Sequence, residues 1–168
     1  DVENRGAKKP GGEYAAAILR GRTPVPQTEY LTDAFGREAW PAQAFTDLLA
    51  AFSRVTPVRG AMWVADDPTT GEILGYAGVE VSALWGEMDI INIAVAAGHR
   101  RRGVGQLLVR RIVGLCRRRG VPLLWLRVRA SNRGAQRFYR QMGFQARGRF
   151  RGYYLDPDES AVIMAMEL

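Results

Sequence analysis

Apolar residues recur along the chain in short runs whose spacing is typical of β-strands. Six of these runs predict strands, at residues 61–66, 73–82, 87–97, 123–129, 144–152 and 160–167. The run at 87–97 is nearly all apolar, which indicates a central strand. The last two runs predict a hairpin about the turn Asp156-Pro157-Asp158, and a weaker run at 14–19 predicts a further strand near the start of the chain.

Apolar residues at helical spacing predict helices in four segments, at 26–35, 41–52, 104–118 and between Ser131 and Gly143. The third helix has an apolar face formed by Val104, Leu107, Leu108, Leu115 and Cys116. The fourth is expected to turn inward Ala135, Phe138, Tyr139 and Met142. Gly120 and Gly143 follow these two helices and are suited to end them.

The order of these elements predicts an α+β fold, in which helices flank one sheet in mixed αβα layers. A chain of 168 residues has the length of one domain and can form a core without disulfides or metal. Residues 1–12 are polar and end in Pro-Gly-Gly, which predicts a flexible N-terminal tail. We therefore expect a tail at 1–12 and a single domain at 13–168.

The composition excludes several classes of protein. No run of 18 or more apolar residues exists, so the chain is not expected to involve a membrane. Cys116 and His99 are the single cysteine and the single histidine, which excludes a cysteine cluster and a multi-histidine site, so no metal is expected. The scarcity of cysteine favours a reducing, cytoplasmic location.

Positive charge is concentrated in one part of the chain. The net charge is +7, and residues 90–155 contain 16 arginines and no Asp or Glu. A solvated surface usually mixes both signs, so this segment predicts an anionic partner. A phosphorylated cofactor, RNA and an acidic protein are the three candidates at this point.

A basic, glycine-containing loop precedes the predicted helix at 104–118. It runs Arg100-Arg101-Arg102-Gly103-Val104-Gly105-Gln106. Glycines at a helix start let backbone N–H groups approach an anion, and arginines add charge-assisted hydrogen bonds to phosphate oxygens. The loop lacks the Gly-Lys-Ser/Thr of a Walker loop and the third small residue of a dinucleotide-binding loop, where Leu108 stands. On this motif alone, a tight turn with solvated arginines explains the pattern equally well.

The runs INIAVAAGHRRRGVGQLL, LWLRVRASN and AQRFYRQMGF, with the closing Tyr-Tyr and AVIMAMEL, resemble the GNAT superfamily of acyl-CoA-dependent N-acyltransferases. The Arg-x-x-Gly-x-Gly pattern at Arg100, Gly103 and Gly105 is similar to that superfamily's pyrophosphate-binding signature. Within the superfamily, residues 87–168 most resemble the RimI-type ribosomal-protein alanine N-acetyltransferases. The resemblance implies a GNAT-like fold, with a central, mostly antiparallel sheet flanked by helices, and acetyl-CoA as the co-substrate.

The resemblance also implies roles for particular residues. The backbone of Ile93, Ala94 and Val95 would pair with the pantetheine arm, and the Val95 amide would stabilise the thioester oxygen. The pyrophosphate would be held by Arg100, Arg101, Arg102, Gly103, Val104, Gly105 and Gln106. Asn132 would bond the pantetheine arm, and Tyr139 would act as the general acid that protonates the leaving thiolate. From the residues alone, Asn132 could equally be a helix cap and Tyr139 a core side chain.

Arg127 departs from the pattern of the family. RimI-type enzymes have a glutamate there as general base, whereas an arginine stays protonated and cannot accept a proton. Three interpretations stay open: a carboxylate of Glu80, Glu87 or Asp89 acts through water, the amine needs little help, or catalysis is weak. An α-amine has a reference pKa of about 7.7–8.0 against about 10.4 for lysine, so loss of the base would hurt lysine acetylation far more.

The expected function is therefore acetyl transfer to a protein N-terminal α-amine, of ribosomal type, by direct attack of the amine on the thioester. Lysine or a small-molecule amine is the alternative acceptor. A catalytically weak acyl-CoA- or RNA-binding module on the same fold is the alternative from another class, although the arginine-rich segment offers few aromatic platforms for bases. Contact with nucleic acid is expected only by proximity to the ribosome.

Overall fold

The computed structural model describes residues 7–9, 12–18, 60–67, 69–81 and 86–168, the first two ranges by their backbone. In chain order the elements are β1 (Ala7–Lys9), β2 (Gly12–Ile18), β3 (Gly60–Asp66), β4 (Ile73–Val81), β5 (Met88–Val95), a 3₁₀ turn (Ala97–His99), α1 (Val104–Arg118), β6 (Leu123–Arg129), α2 (Arg133–Gln141), β7 (Gln145–Leu155) and β8 (Asp158–Glu167). The chain divides into two compact units, which are Asp1–Val79 with Asn92–Leu108, and Glu80–Ile91 with Val109–Leu168.

In the first unit, the strands follow the spatial order β1, β2, β3, β4 and β5. β1 pairs antiparallel with β2, and β2 pairs antiparallel with β3. Beyond the end of β5, the Ala96 amide donates a hydrogen bond of 2.9 Å to the Leu74 carbonyl of β4. The side chains of Met62, Leu74 and Tyr76 are fully buried, which makes β3 and β4 core strands of this unit.

In the second unit, the spatial order is β5, β6, β8 and β7. β5 and β6 are parallel, with a register from Met88 opposite Leu124 to Ile90 opposite Leu126. β8 lies antiparallel between β6 and β7, and β7 and β8 form a hairpin. The hairpin was predicted, and its strands extend closer to the turn than the apolar pattern indicated, because polar residues continue the ladder to Leu155 and Asp158.

Side chains of β6 alternate between two faces of the sheet, as the period of a strand requires. Leu124, Leu126 and Val128 are buried on one face. Trp125, Arg127 and Arg129 lie on the other face and are half-buried or exposed. The polar residues at alternate positions of this strand therefore share one surface of the second unit.

Helix α1 has the bounds that the sequence predicts, 104–118. Of the predicted apolar face, Val104, Leu108 and Cys116 are buried, whereas Leu107 and Leu115 are half-buried. Ile112 is buried in addition, because the inward stripe follows the i, i+4 ridge 104, 108, 112 and 116. Val109, which follows Leu108 on this ridge, is also buried. Burial raises the pKa of the Cys116 thiol to about 11, so this side chain is an un-ionised core residue at neutral pH.

Several predictions concern residues at the N-terminal side. The helices expected at 26–35 and 41–52 lie outside the described residues. Strand β1 lies within the segment for which a flexible tail was predicted, and β2 begins at Gly12, the last residue of that segment. The boundary between tail and single domain stays a prediction. Among the helices that the structure describes, none is long and apolar enough to cross a bilayer.

Gly75 in β4 allows a close approach within the first unit. A Cβ atom there would lie 2.9 Å from the Ala94 carbonyl oxygen and 3.0 Å from Cγ1 of Val104. We expect Gly75→Ala to lower the free energy of unfolding by about 1–3 kcal/mol, the usual cost of overpacking. Urea denaturation checks this, with Gly148→Ala as the control, since a Cβ at Gly148 meets nothing within 4 Å. Equal stability of the two variants would contradict the expectation.

Candidate functional site

The loop before α1 has the backbone geometry of an anion-binding turn. After the 3₁₀ turn, Arg101 has a φ of 60° and Gly103 a φ of 91°, both in the left-handed region. The helix begins at Val104, and the first helical hydrogen bond runs from the Leu107 amide to the Gly103 carbonyl at 3.0 Å. Glycine at position 103 is required by this backbone, because a side chain there would strain it.

The start of α1 presents hydrogen-bond donors and positive charge together. The amides of Gly103, Val104, Gly105 and Gln106 have no acceptor within the helix, as at any helix N-terminus. The first turn of this described helix has no acidic side chain to compete for them. Arg101 and Arg102 are exposed, and no ion pair of theirs occurs among the described residues. These donors fit a pyrophosphate, which combines two negative groups with acceptor oxygens.

Arg100 and His99 tie this loop to the first unit. Nε of Arg100 donates a hydrogen bond of 3.1 Å to the carbonyl of Val95, at the end of β5. Nε2 of His99 lies 3.1 Å from Oε1 of Glu72. These two contacts position the loop, so a direct contact of Arg100 with phosphate stays a prediction.

The predicted pantetheine-binding residues follow the paired part of β5. The parallel register with β6 ends at Ile90, and β5 continues for five residues to Val95. Ala94 is buried, and Ile93 and Val95 are half-buried. The backbone of these residues can pair with an extended ligand only on an edge that has no strand partner. Their pairing with the pantetheine arm stays a prediction.

Helix α2 contains the other two predicted site residues. Oδ1 of Asn132 accepts a hydrogen bond of 3.0 Å from the Ala135 amide, so its side chain caps the helix. Tyr139 is buried, with its ring centroid 5.2 Å from that of Phe138 and 5.6 Å from that of Phe144. Both residues thus have the structural uses that the sequence left open, and their catalytic and binding roles are not tested by these contacts.

Gln136 is the buried residue of α2 that the apolar pattern missed. Its Nε2 donates hydrogen bonds of 3.0 Å to the carbonyls of Arg129 and Ala130, at the end of β6. Phe138, placed on the inward face by periodicity, is half-buried. Gln136 therefore fixes α2, and with it Tyr139, against the end of the strand.

Arg127 forms an ion pair with Asp89 of β5 through Nη1 and Oδ2. Burial lowers the pKa of Arg127, but the hydrogen bond and charge of Asp89, with smaller contributions from Tyr153 and Glu80, raise it above its ordinary value. The other oxygen of Asp89, Oδ1, is buried and has no hydrogen-bond partner within the described residues. Asp89 thus depends on Arg127 for compensation of its charge.

Two more carboxylates are engaged along the same face of β6. Nε1 of Trp125 donates a hydrogen bond of 2.7 Å to Glu87. Arg129 lies 3.4 Å from Oε2 of Glu159, whose other contacts are the amide and hydroxyl of Ser131. These hydrogen bonds lower the pKa of Glu159. Of the three carboxylates proposed as a replacement base, Glu87 and Asp89 are therefore already hydrogen-bonded.

Aromatic rings of β7 adjoin the two arginines. The guanidinium of Arg127 lies 5.9 Å from the ring centroid of Tyr153, and that of Arg129 lies 4.1 Å from the ring of Tyr154. The Tyr154 hydroxyl donates to the Arg127 carbonyl at 3.4 Å. Tyr153 and Phe150 are exposed and in edge contact. This surface offers aromatic and cationic groups side by side.

Comparisons with known proteins identify relatives of the chain. The family model described as Acetyltransferase (GNAT) family matches residues 25–144. The ribosomal protein bS18-alanine N-acetyltransferase of Escherichia coli strain K12 is 39% identical over 84 residues, which are 49% of this chain and 57% of that protein. The streptothricin acetyltransferase of Streptomyces lavendulae is 42% identical over 74 residues, or 44% and 39% of the two chains. The chain thus spans less than two thirds of either curated relative.

A solved structure agrees with the fold over a longer stretch. The crystal structure of the ribosomal-protein-S18-alanine N-acetyltransferase from Escherichia coli matches with a TM-score of 0.72 and 27% identity, over 90% of this chain and 93% of that one. The α+β fold class predicted from the order of the elements is confirmed, as is the GNAT-like fold that the resemblance implies. The sheet is mostly antiparallel, with β5 and β6 as its parallel pair in the second unit.

Proposed function

The chain belongs to the GNAT acetyltransferase family, and from this premise we propose that it transfers an acetyl group from acetyl-CoA to the N-terminal α-amine of a protein. The observation that supports it most is the basic loop at the start of α1, which combines free helix amides, Gly103 at positive φ and exposed arginines within the family match. We also propose a ribosomal protein as the substrate, because the relative from Escherichia coli is named for its action on ribosomal protein bS18. We propose a cytoplasmic location as well.

In this proposal, the basic loop and the end of β5 bind the co-substrate. The amides of 103–106 and the guanidinium groups of Arg101 and Arg102 bind the pyrophosphate. The backbone of 93–95 pairs with the pantetheine arm, and the Val95 amide donates to the thioester oxygen as negative charge develops on it. Acetyl-CoA supplies the acetyl group in an activated thioester.

We propose Tyr139 of α2 as the proton donor. Tyr139 has a phenolic O–H that can protonate the leaving sulfur and then recover a proton from the nitrogen that attacked. Its packing between Phe138 and Phe144 restricts the ring to few orientations. Asn132 holds the start of α2 through its cap, and we propose that its side chain also contacts the pantetheine arm, as the resemblance implies.

Small-molecule amines are the second candidate class of acceptor. The similarity to streptothricin acetyltransferase is the observation that favours it. A further alternative, an acyl-CoA- or RNA-binding module with weak catalysis, finds support in the exposed rings of Phe150 and Tyr153 beside arginines. A single assay of acetyl transfer separates these alternatives.

The assay offers acetyl-CoA with peptides that differ in their first residue, an N-terminally blocked peptide with one lysine, and streptothricin. We expect peptides with a free α-amine to be acetylated at pH 7 at least about a hundred times faster than the lysine peptide, because a far larger fraction of the α-amine is neutral. Mass spectrometry locates the acetyl group, and a blocked peptide without lysine is the control. Faster acetylation of streptothricin than of any peptide would favour the second candidate, and no transfer at all would contradict both.

A further inference from the structure

The large apolar side chains that are exposed among the described residues all lie on β7. They are Phe150, Tyr153 and Leu155, with exposed fractions of 55%, 42% and 87%. β7 is the outermost strand of the described sheet, and its residues are exposed except for Tyr154, so side chains of both faces are open to solvent. A cluster of exposed large apolar groups is typical of a binding surface.

A bulge in the ladder between β7 and β8 brings aromatic rings together. Phe150 lies opposite Ala161 of β8, and the next pair in the register is Tyr154 with Glu159. Three residues of β7 therefore correspond to one residue of β8, and such a bulge redirects side chains. The ring centroids of Phe150 and Tyr153 are consequently 5.7 Å apart, and those of Tyr153 and Tyr154 are 5.0 Å apart. The three rings form one continuous aromatic row.

The same strand has exposed arginines beside the rings. Arg149 and Arg151 flank Phe150 in the sequence, and neither forms an ion pair within the part of the chain that the structure describes. Arg147, by contrast, pairs with Glu167. Neighbouring residues of a strand point to opposite faces, but at the outermost strand both faces border the same open edge. The middle of β7 therefore combines exposed rings with positive charge.

We propose that this surface, formed by Arg149, Phe150, Arg151 and Tyr153, binds single-stranded RNA. Unpaired bases stack on the rings of Phe150 and Tyr153, and the two arginines bind phosphates of the same strand. The inference goes beyond the proposed function and does not depend on acetyl transfer. All four residues belong to the second unit, so the surface is complete within it.

Charge and ring exposure favour this partner over others. A second copy of the chain, paired edge to edge through β7, would bring arginines against arginines, which is unfavourable. An acidic peptide would meet the arginines, but its carboxylates are not attracted to the negative faces of the rings. A duplex keeps its bases stacked inside and offers only its backbone. A single RNA strand matches both kinds of group, and the segment 90–155, with 16 arginines and no Asp or Glu, attracts its phosphates.

The test measures the affinity of the full chain for a fluorescently labelled oligouridylate of about ten nucleotides by anisotropy. CoA is present in excess, so that the anion site before α1 does not account for the binding. Phe150→Leu and Tyr153→Leu each remove a ring and keep an apolar side chain. We expect each variant to bind about five- to a hundred-fold more weakly, the effect of losing one stacked base, with an unchanged dependence on salt.

A second pair of variants tests the phosphate contacts. Arg149→Gln combined with Arg151→Gln should make the slope of log affinity against log salt shallower by about 1.4, because each phosphate contact of a single strand contributes about 0.7. Arg133→Gln combined with Arg137→Gln is the matched control, since these exposed arginines of α2 lie in the same unit and carry the same charge. The control should retain the affinity and the slope of the unaltered protein. Thermal unfolding of each variant reports on the fold separately.

Three results would overturn the inference. One is binding of the oligouridylate by the two leucine variants as tightly as by the unaltered protein. Another is an equal loss of affinity in the α2 control, which would show attraction by the overall charge alone. The third is binding of an oligoglutamate peptide or an RNA duplex as tightly as the single strand, which would identify a surface for anions in general.

Discussion

Replacement of Tyr139 with phenylalanine is expected to lower turnover by roughly ten- to ten-thousand-fold, the span for loss of one general acid. The substitution keeps the ring, and with it the tilted contact to Phe138 and the edge contact to Phe144. It removes the phenolic proton that the leaving sulfur would take. Stability should change by about 1 kcal/mol at most, the usual value of one hydrogen bond. Steady-state release of CoA thiol and thermal unfolding measure the two quantities.

Tyr76→Phe is the matched control for this experiment. Tyr76 is also a buried tyrosine, and it lies in β4 of the first unit, outside the proposed proton path. Loss of its hydroxyl should affect stability by a similar amount and leave turnover unchanged. If Tyr139→Phe lost activity only in proportion to its lost stability, or if both variants lost the same activity, Tyr139 would be a packing residue.

Local signals in the sequence predicted much of the fold. Helix α1 has the predicted bounds because a basic glycine loop precedes it and Gly120, at a φ of 65°, follows it. The strands at 61–66, 73–82 and 123–129 lie within two residues of the observed ones, since their apolar runs end at polar turns. The cap of α2 by Asn132 was among the alternatives that the sequence left open.

Contacts between residues far apart in the sequence could not be predicted from these local signals. Arg127 and Asp89 are separated by 38 positions, and their pairing depends on the parallel register of β5 with β6. That register cannot be derived from the sequence, so the carboxylate that pairs with Arg127 could not be chosen among Glu80, Glu87 and Asp89. Gln136 was missed because periodicity assigns polar residues to solvent, whereas this side chain is buried by two hydrogen bonds to the end of β6.

Replacement of Gly103 with valine is expected to weaken CoA binding by roughly ten- to a hundred-fold, since each charge-assisted hydrogen bond contributes about 1.5–3 kcal/mol. Gly103 has a φ of 91°, which a β-branched residue avoids, so the turn before α1 would rearrange. Its amide and those of the next three residues would then no longer converge on the pyrophosphate. Calorimetric titration with CoA measures the affinity.

Gly120→Val is the matched control. It introduces the same backbone strain at a helix end without altering the proposed anion site. Gly120 follows the other end of α1, also has a positive φ, and a Cβ there meets nothing within 4 Å. This variant should lose comparable stability and keep its affinity for CoA. Binding by the unaltered protein should also weaken as salt rises, because Arg101 and Arg102 are exposed and their attraction to phosphate is screened. Unchanged CoA affinity in Gly103→Val would remove this loop from the binding site, whatever the effect on stability.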